Sequence, residues 1–223
     1  MSIKQNLDTI KQTLPDYVTL VAVSKTKPVS DLMEAYNAGQ RIFGENKIQE
    51  MADKYQEMPK DIKWHMIGHV QRNKVKYMAE FVDLIHGVDS LKLLKEINKQ
   101  ALKHDRIINC LLQIKIAEED SKFGMRIKDA EELLLSETVS ELKNINIVGL
   151  MGMATFTDNK DQIKEEFLRL KSAFEDLKTI QTSNCNLQTI SMGMSGDYKL
   201  AIECGSTMVR VGSSIFGERN YNN

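Results

Sequence analysis

Short apolar runs rich in valine and isoleucine alternate along this chain with longer stretches whose apolar residues recur every three or four positions. The first pattern reads as buried strand and the second as amphipathic helix. Ile3, Leu7, Ile10 and Leu14 share one helical face and predict a helix over 3–14, ended by Pro15. Strands are then predicted at 18–23, 41–43, 63–67, 81–85, 107–116, 145–151, 187–191 and 207–211. Between them lie predicted helices at 31–38, 47–57, 73–79, 90–103, 128–138, 158–180 and 198–203. Ser30 is the expected N-cap of the first of these and Gly39 closes it. In the longest, Ile163, Phe167, Leu170, Phe174 and Leu177 form a stripe suited to lying on a sheet; it is too brief for a coiled coil.

Strand and helix alternate eight times without a linker or low-complexity segment. Alternation implies a parallel sheet, and eight units imply closure. The expected fold is therefore α/β, a single (β/α)8 TIM barrel with an additional N-terminal helix, one domain over residues 1–223. An open doubly wound sheet is the competing architecture. It calls for a glycine-rich first turn, and neither GxGxxG nor GxxxxGK[ST] occurs.

Composition narrows the partners. With 30 basic and 31 acidic residues the formal charge is −1, so no global field favours nucleic acid or an anionic membrane. No apolar run is long enough to span a bilayer, and residues 1–6 lack the apolar core of a secretory signal. Three scattered cysteines, Cys110, Cys185 and Cys204, suit reduced thiols in a cytoplasmic protein.

In such a barrel, chemistry gathers where strands end. Lys25 follows the first predicted strand, and Pro28 turns the chain there. Ser195 follows the seventh, and Gly212 with Ser213 follows the eighth, the usual place for a phosphate in these barrels. Gly and Ser are also ordinary turn residues, so either loop alone says little. An amine at one lip and an anion cradle at the other suit a phosphorylated aldehyde or ketone held as a Schiff base. That chemistry needs a neutral amine, and Lys27 and Arg210 are cationic neighbours able to lower its pKa. A barrel aldolase acting on a sugar phosphate fits the same conjunction. Gly193-Met194-Ser195-Gly196-Asp197 misses the nucleophile elbow at its last position, and Asp197 is better placed to support the next helix. His65 and His69 lack a carboxylate partner in the sequence pattern, so a metal site there is not expected. Trp64 and the 12 methionines read as core packing.

Six ordered blocks carry a resemblance. They are Val23-Ser24-Lys25-Thr26-Lys27-Pro28, then Phe43-Gly44-Glu45-Asn46 with Gln49-Glu50, then Trp64-His65-Met66-Ile67-Gly68 with Gln71 and Asn73-Lys74. Ser191-Met192-Gly193-Met194-Ser195, the run from Gly205 to Gly212, and Ile215-Phe216-Gly217 complete them. Across essentially its whole length the chain resembles the pyridoxal phosphate homeostasis protein family, whose barrel is similar to the N-terminal domain of alanine racemase. The resemblance implies pyridoxal 5′-phosphate (PLP) carried on Lys25 as a Schiff base. Arg210 would face the pyridine nitrogen, and Ser195 with the Gly212-Ser213 backbone would hold the phosphate. Asn46 and His65 would line the cofactor pocket. Lys47 stands where the family usually has an aromatic, and His69 where proline is common.

An arginine at the ring nitrogen, in place of a carboxylate, leaves that nitrogen unprotonated and weakens the ring as an electron sink. Racemases of similar fold take a second base from an additional β domain, and none is expected in this chain. The expectation is a cytoplasmic monomer that carries PLP and takes part in vitamin B6 homeostasis without robust turnover. Its partners would be PLP and PLP-dependent apo-enzymes. The alternative is a PLP-dependent amino-acid racemase.

Overall fold

The computed structural model describes residues 2–118 and 123–218; the ends of the expected 1–223 domain lie outside that range. Its eight strands are hydrogen-bonded in sequence order and close into a barrel. They are β1 (Thr19–Val23), β2 (Ile42–Glu45), β3 (Lys63–Met66), β4 (Val82–Val88), β5 (Ile108–Gln113), β6 (Ile145–Met151), β7 (Cys185–Met194) and β8 (Met208–Val211). All neighbours are parallel, and closure is made by β8 beside β1, with Val21 opposite Arg210. Parallel strands need crossovers, and the helices supply them. These include α2 (Val29–Asn37), α3 (Ile48–Glu57), α4 (Leu91–Leu102), α7 (Lys160–Leu177), α8 (Tyr198–Glu203) and α9 (Ser213–Phe216). The N-terminal helix α1 (Ile3–Gln12) precedes the barrel, with Ser2 and Gln5 forming a capping box.

Alternation along each strand divides the apolar residues into two sets. Val21, Leu84, Leu111, Met151 and Met208 pack together inside the barrel. Leu20, Ala22, Phe43, Trp64 and Ile85 point outward and meet the helices, together with Leu32, Met51 and Phe167. The larger hydrophobic core therefore lies between sheet and helix ring. The expected stripe on α7 is buried there, including Phe167 and Leu170.

Several expectations change in detail: β4 runs on past 85 to Val88, and β5 stops at Gln113 rather than 116. Helix α2 begins at Val29 with Pro28 at the N-cap, so Ser30 lies inside the first turn; proline's fixed φ suits that entry. The basic segment expected as a helix over 73–79 is a 3-10 turn at Arg72–Tyr77. The helix expected over 128–138 divides into α5 (Ile127–Leu134) and α6 (Glu137–Ser140), because Ser136 starts a new N-terminus. Strand β7 extends three residues further, to Met194, which brings its end up to the functional face.

Candidate functional site

The carboxyl ends of the strands surround a cavity of about 600 Å³, within the usual size range for a small-molecule site. Lys25, Asn46, Ser195, Arg210, Gly212 and Ser213 all line it. So do Lys27 and His69. His65 does not. Its ring is buried one layer deeper, and its Nδ1 lies 3.1 Å from Nε2 of His86. It reaches the cavity only through other side chains.

Lys25 is the second residue of a tight turn. Lys27 N–H donates to the Ser24 carbonyl at 3.1 Å, and Thr26 has φ of 63°. A positive φ at the third turn position is normally a glycine or asparagine feature. Here a buried polar cluster holds it. The Thr26 N–H donates to Glu50 Oε1 at 2.5 Å. Lys54 Nζ donates to Glu50 Oε1, Glu45 Oε1 and the Ser24 carbonyl, each at 2.8 Å, and Ser24 Oγ donates to Glu45 Oε1 at 2.6 Å. Burial raises the Glu45 pKa against the pull of Lys54. Both residues flanking Lys25 are thus tied to α3 and β2. Lys27 Nζ donates to the carbonyls of Phe216 and Glu218.

Asn46 is placed by a close backbone crossing. A Cβ at Gly68 would lie 2.4 Å from the Asn46 carbonyl oxygen, so only glycine lets the two loops approach. On the opposite lip, Gly193 has φ of +97° and lets β7 run on past α8. Asp197 was expected to support the start of α8. Its carboxylate instead accepts from the Met194 N–H at 2.5 Å and tightens the loop that carries Ser195. Burial raises its pKa, opposed by that hydrogen bond and by Arg210. Ser195 Oγ accepts from the Gly212 N–H at 3.1 Å and ties the two loops together. Among the described residues, the Ser213 and Ser214 N–H groups at the start of α9 have no intramolecular acceptor.

Arg210 forms the floor. Only 4 % exposed, it donates from Nη1 to the Ser191 carbonyl and hydroxyl and from Nη2 to the Gly152 carbonyl. Among the described residues three of its five N–H bonds have acceptors, and the residue also lines the cavity. Burial lowers its pKa to about 10, against the attraction of Asp197, so it remains a cation at neutral pH.

The rim of strands four and five was not read from the sequence. Gln113, Phe123, Met153 and Phe156 add walls from there and from the β6 end, and Phe123 stacks on His69 with ring centroids 4.3 Å apart. The clamp of Glu45, Glu50 and Lys54 was also missed, although the four-residue spacing of Glu50 and Lys54 was its visible signal.

The residues present suit PLP. An amine stands at one lip, backbone donors and a serine hydroxyl at the other, and a cationic donor lies between.

Residues 1–220 match the family model "Alanine racemase, N-terminal domain". The chain is 40% identical to the "Pyridoxal phosphate homeostasis protein" of Pasteurella multocida over 99% of both chains. The Escherichia coli K12 protein of the same name is 40% identical over 93% of this chain and 88% of its own. The structure of PipY from Synechococcus elongatus with PLP bound superposes with a TM-score of 0.88, at 34% identity, covering 97% of this chain and 100% of that one. The chain belongs to the alanine racemase N-terminal domain family, among its pyridoxal phosphate homeostasis proteins.

Proposed function

We propose that this protein binds and carries pyridoxal 5′-phosphate and takes part in vitamin B6 homeostasis, without robust catalytic turnover. One observation carries the reading: the Lys25 amine, the Arg210 guanidinium and the loops of Ser195 and Gly212 to Ser213 line the same cavity. The reading agrees with the printed names of the relatives and with PLP in the PipY structure. When bound, PLP supplies an aldehyde that joins an amine and a ring that withdraws electrons.

Lys25 is the amine that holds the aldehyde carbon, and the clamp through Glu50 and Lys54 fixes its direction. Ser195 Oγ accepts from Gly212, so its own proton is free to point at a phosphate oxygen. The Ser213 and Ser214 N–H groups add donors to the same dianion. Arg210 offers a donor to the ring nitrogen and cannot accept a proton from it, which keeps that nitrogen unprotonated. Asn46 borders the ring. His65 supports the site from below through His86.

The test is PLP titration of the purified chain, followed by borohydride reduction and peptide mapping. The expected result is a yellow protein with the label on Lys25 and no colour in Lys25→Ala. A label confined to another lysine would overturn the assignment.

A racemase needs a proton acceptor on the face of the substrate opposite Lys25. Among the described residues His69 is the imidazole that lines the cavity, with Asp89 Oδ2 3.7 Å from its Nδ1. Incubation of the loaded protein with L-alanine is expected to give no appreciable D-alanine. Accumulation that requires both Lys25 and His69 would establish the racemase reading instead. PLP-dependent apo-enzymes are the recipients in this reading, and the cytoplasm its location. A monomer is expected from size-exclusion chromatography with light scattering. No helix among the described residues is long and apolar enough to cross a membrane.

A further inference from the structure

Beneath Arg210 a row of polar side chains crosses the barrel interior beside the apolar cluster of Val21, Leu84, Leu111, Met151 and Met208. The Arg210 guanidinium donates to Ser191 Oγ at 2.5 Å. That oxygen lies 3.0 Å from Nδ1 of His86. Nε2 of His86 lies 3.1 Å from Nδ1 of His65, and Nε2 of His65 lies 3.5 Å from Oδ2 of Asp83. Ser191 and His86 are fully buried and His65 is 2 % exposed. The Asp83 side chain, 40 % exposed, reaches solvent near the amino end of β4.

The two ends fix the direction of every bond between them. Arginine only donates, and an ionised carboxylate only accepts. Ser191 must therefore pass its proton's hydrogen bond to His86 Nδ1. His86 Nε2–H then donates to His65 Nδ1, and His65 Nε2–H donates to Asp83. Reversing the imidazoles would set two acceptors against each other at Asp83 and leave the serine proton with no acceptor on the chain. Leaving a buried polar group so stranded is unfavourable, because nothing replaces the hydrogen bonds it makes to water in the unfolded chain.

We propose that Ser191, His86, His65 and Asp83 are positioning residues: a one-way hydrogen-bonded chain that holds the Arg210 guanidinium facing the cavity, with both imidazoles locked as Nε2–H tautomers. The charges around it agree. The hydrogen bond to His65, and then Lys63 and Arg106, hold the Asp83 pKa down and keep it ionised, while Asp197 opposes the effect of burial on Arg210. Burial disfavours the charged form of both imidazoles, and for His86 the nearby His65 and Arg210 add to it. The function of the chain rests on the cofactor reading above, because it acts on the donor offered to the ring nitrogen.

Nitrogen-15 NMR of histidine-labelled, cofactor-free protein tests the chain without PLP. Carrying His69→Gln and His104→Gln, the chain keeps only the two buried imidazoles. The expected spectrum shows Nδ1 unprotonated and Nε2 protonated on both. Asp83→Ala removes the terminal acceptor. Both rings should then move toward a mixture of tautomers, and in otherwise native protein the PLP affinity should fall about fivefold, as for one weakened hydrogen bond. Asp83→Asn keeps an acceptor oxygen and should restore both. A proton on Nδ1 of either imidazole in the unaltered interior would overturn the proposal, as would an Asp83→Ala protein with unchanged tautomers and affinity. If Asp83→Ala does not fold, the tautomers of the unaltered interior still decide. Ordered tautomers in a protein that binds no PLP would uphold the chain's direction and overturn the cofactor reading alone.

Discussion

Thr26 and Asp105 are the non-glycine residues of positive φ among the described residues, and of the two only Thr26 is β-branched. A β-branched side chain at φ of 63° costs on the order of 1–2 kcal/mol, and the residue stands directly after Lys25. The strain is held by the hydrogen bond from its N–H to Glu50. Thr26→Gly removes the strain but adds freedom to the unfolded chain, so the two effects offset. Urea denaturation should place Thr26→Gly within about 1 kcal/mol of the parent. Glu50→Ala leaves the strain and removes its restraint. Its turn should relax, and reduction with borohydride should label Lys25 more slowly at equal PLP. Equal labelling would show that the turn holds itself. The place of Lys25 on the cavity wall was legible because it stands just past the end of a β-branched run, one residue beyond Ser24. The conformation of Thr26 was not, since nothing local in Lys25-Thr26-Lys27 asks for a positive φ.

At the scale of elements, strand β2 and helix α3 act as one unit because Lys54 joins Glu45 to Glu50 and to the end of β1. The ammonium is buried with its partners, so removing it strands the Glu45 carboxylate in a nonpolar setting. Lys54→Met keeps the length of the side chain and loses the charge. It should lower stability by about 3–5 kcal/mol, the usual cost of breaking a buried pair from one side. The double variant Lys54→Met, Glu45→Leu should recover part of that loss, which a mutant cycle in urea would read. Elements were read well where periodicity is strong: β6 and α8 match their expected limits. They were read less well where Ser136 interrupts an otherwise helical pattern, and although α3 falls within one residue of its expected limits, the burial of Lys54 on its apolar face was not read. In both places long-range packing decides what local spacing cannot.

For the whole molecule, closure followed from counting eight alternations, but the polar interior did not. His65, His86, Ser191 and Asp83 come from β3, β4 and β7, and they meet through register shifts between β3 and β4 and along β7. Such shifts leave no trace in hydrophobic alternation. The interior also sets how the fold responds to acid. Both buried imidazoles have pKa values below the ordinary 6.5 of an unfolded chain. As pH falls through 6.5 the unfolded chain takes up protons that the native barrel refuses, so stability present above that pH is progressively lost. Between pH 6.5 and 5.5 the contribution of His86 alone is about 1 kcal/mol. Glu45 and Asp197 work in the opposite direction, because their raised pKa values favour the native state as protons bind. Urea titrations at pH 7.5, 6.5 and 5.5 should show a shallower decline in His86→Gln than in the parent, since glutamine does not titrate while Glu45 and Asp197 are common to both. Parallel declines would mean that His86 accepts a proton in the native barrel, and the interior would then have to hold an imidazolium beside Arg210.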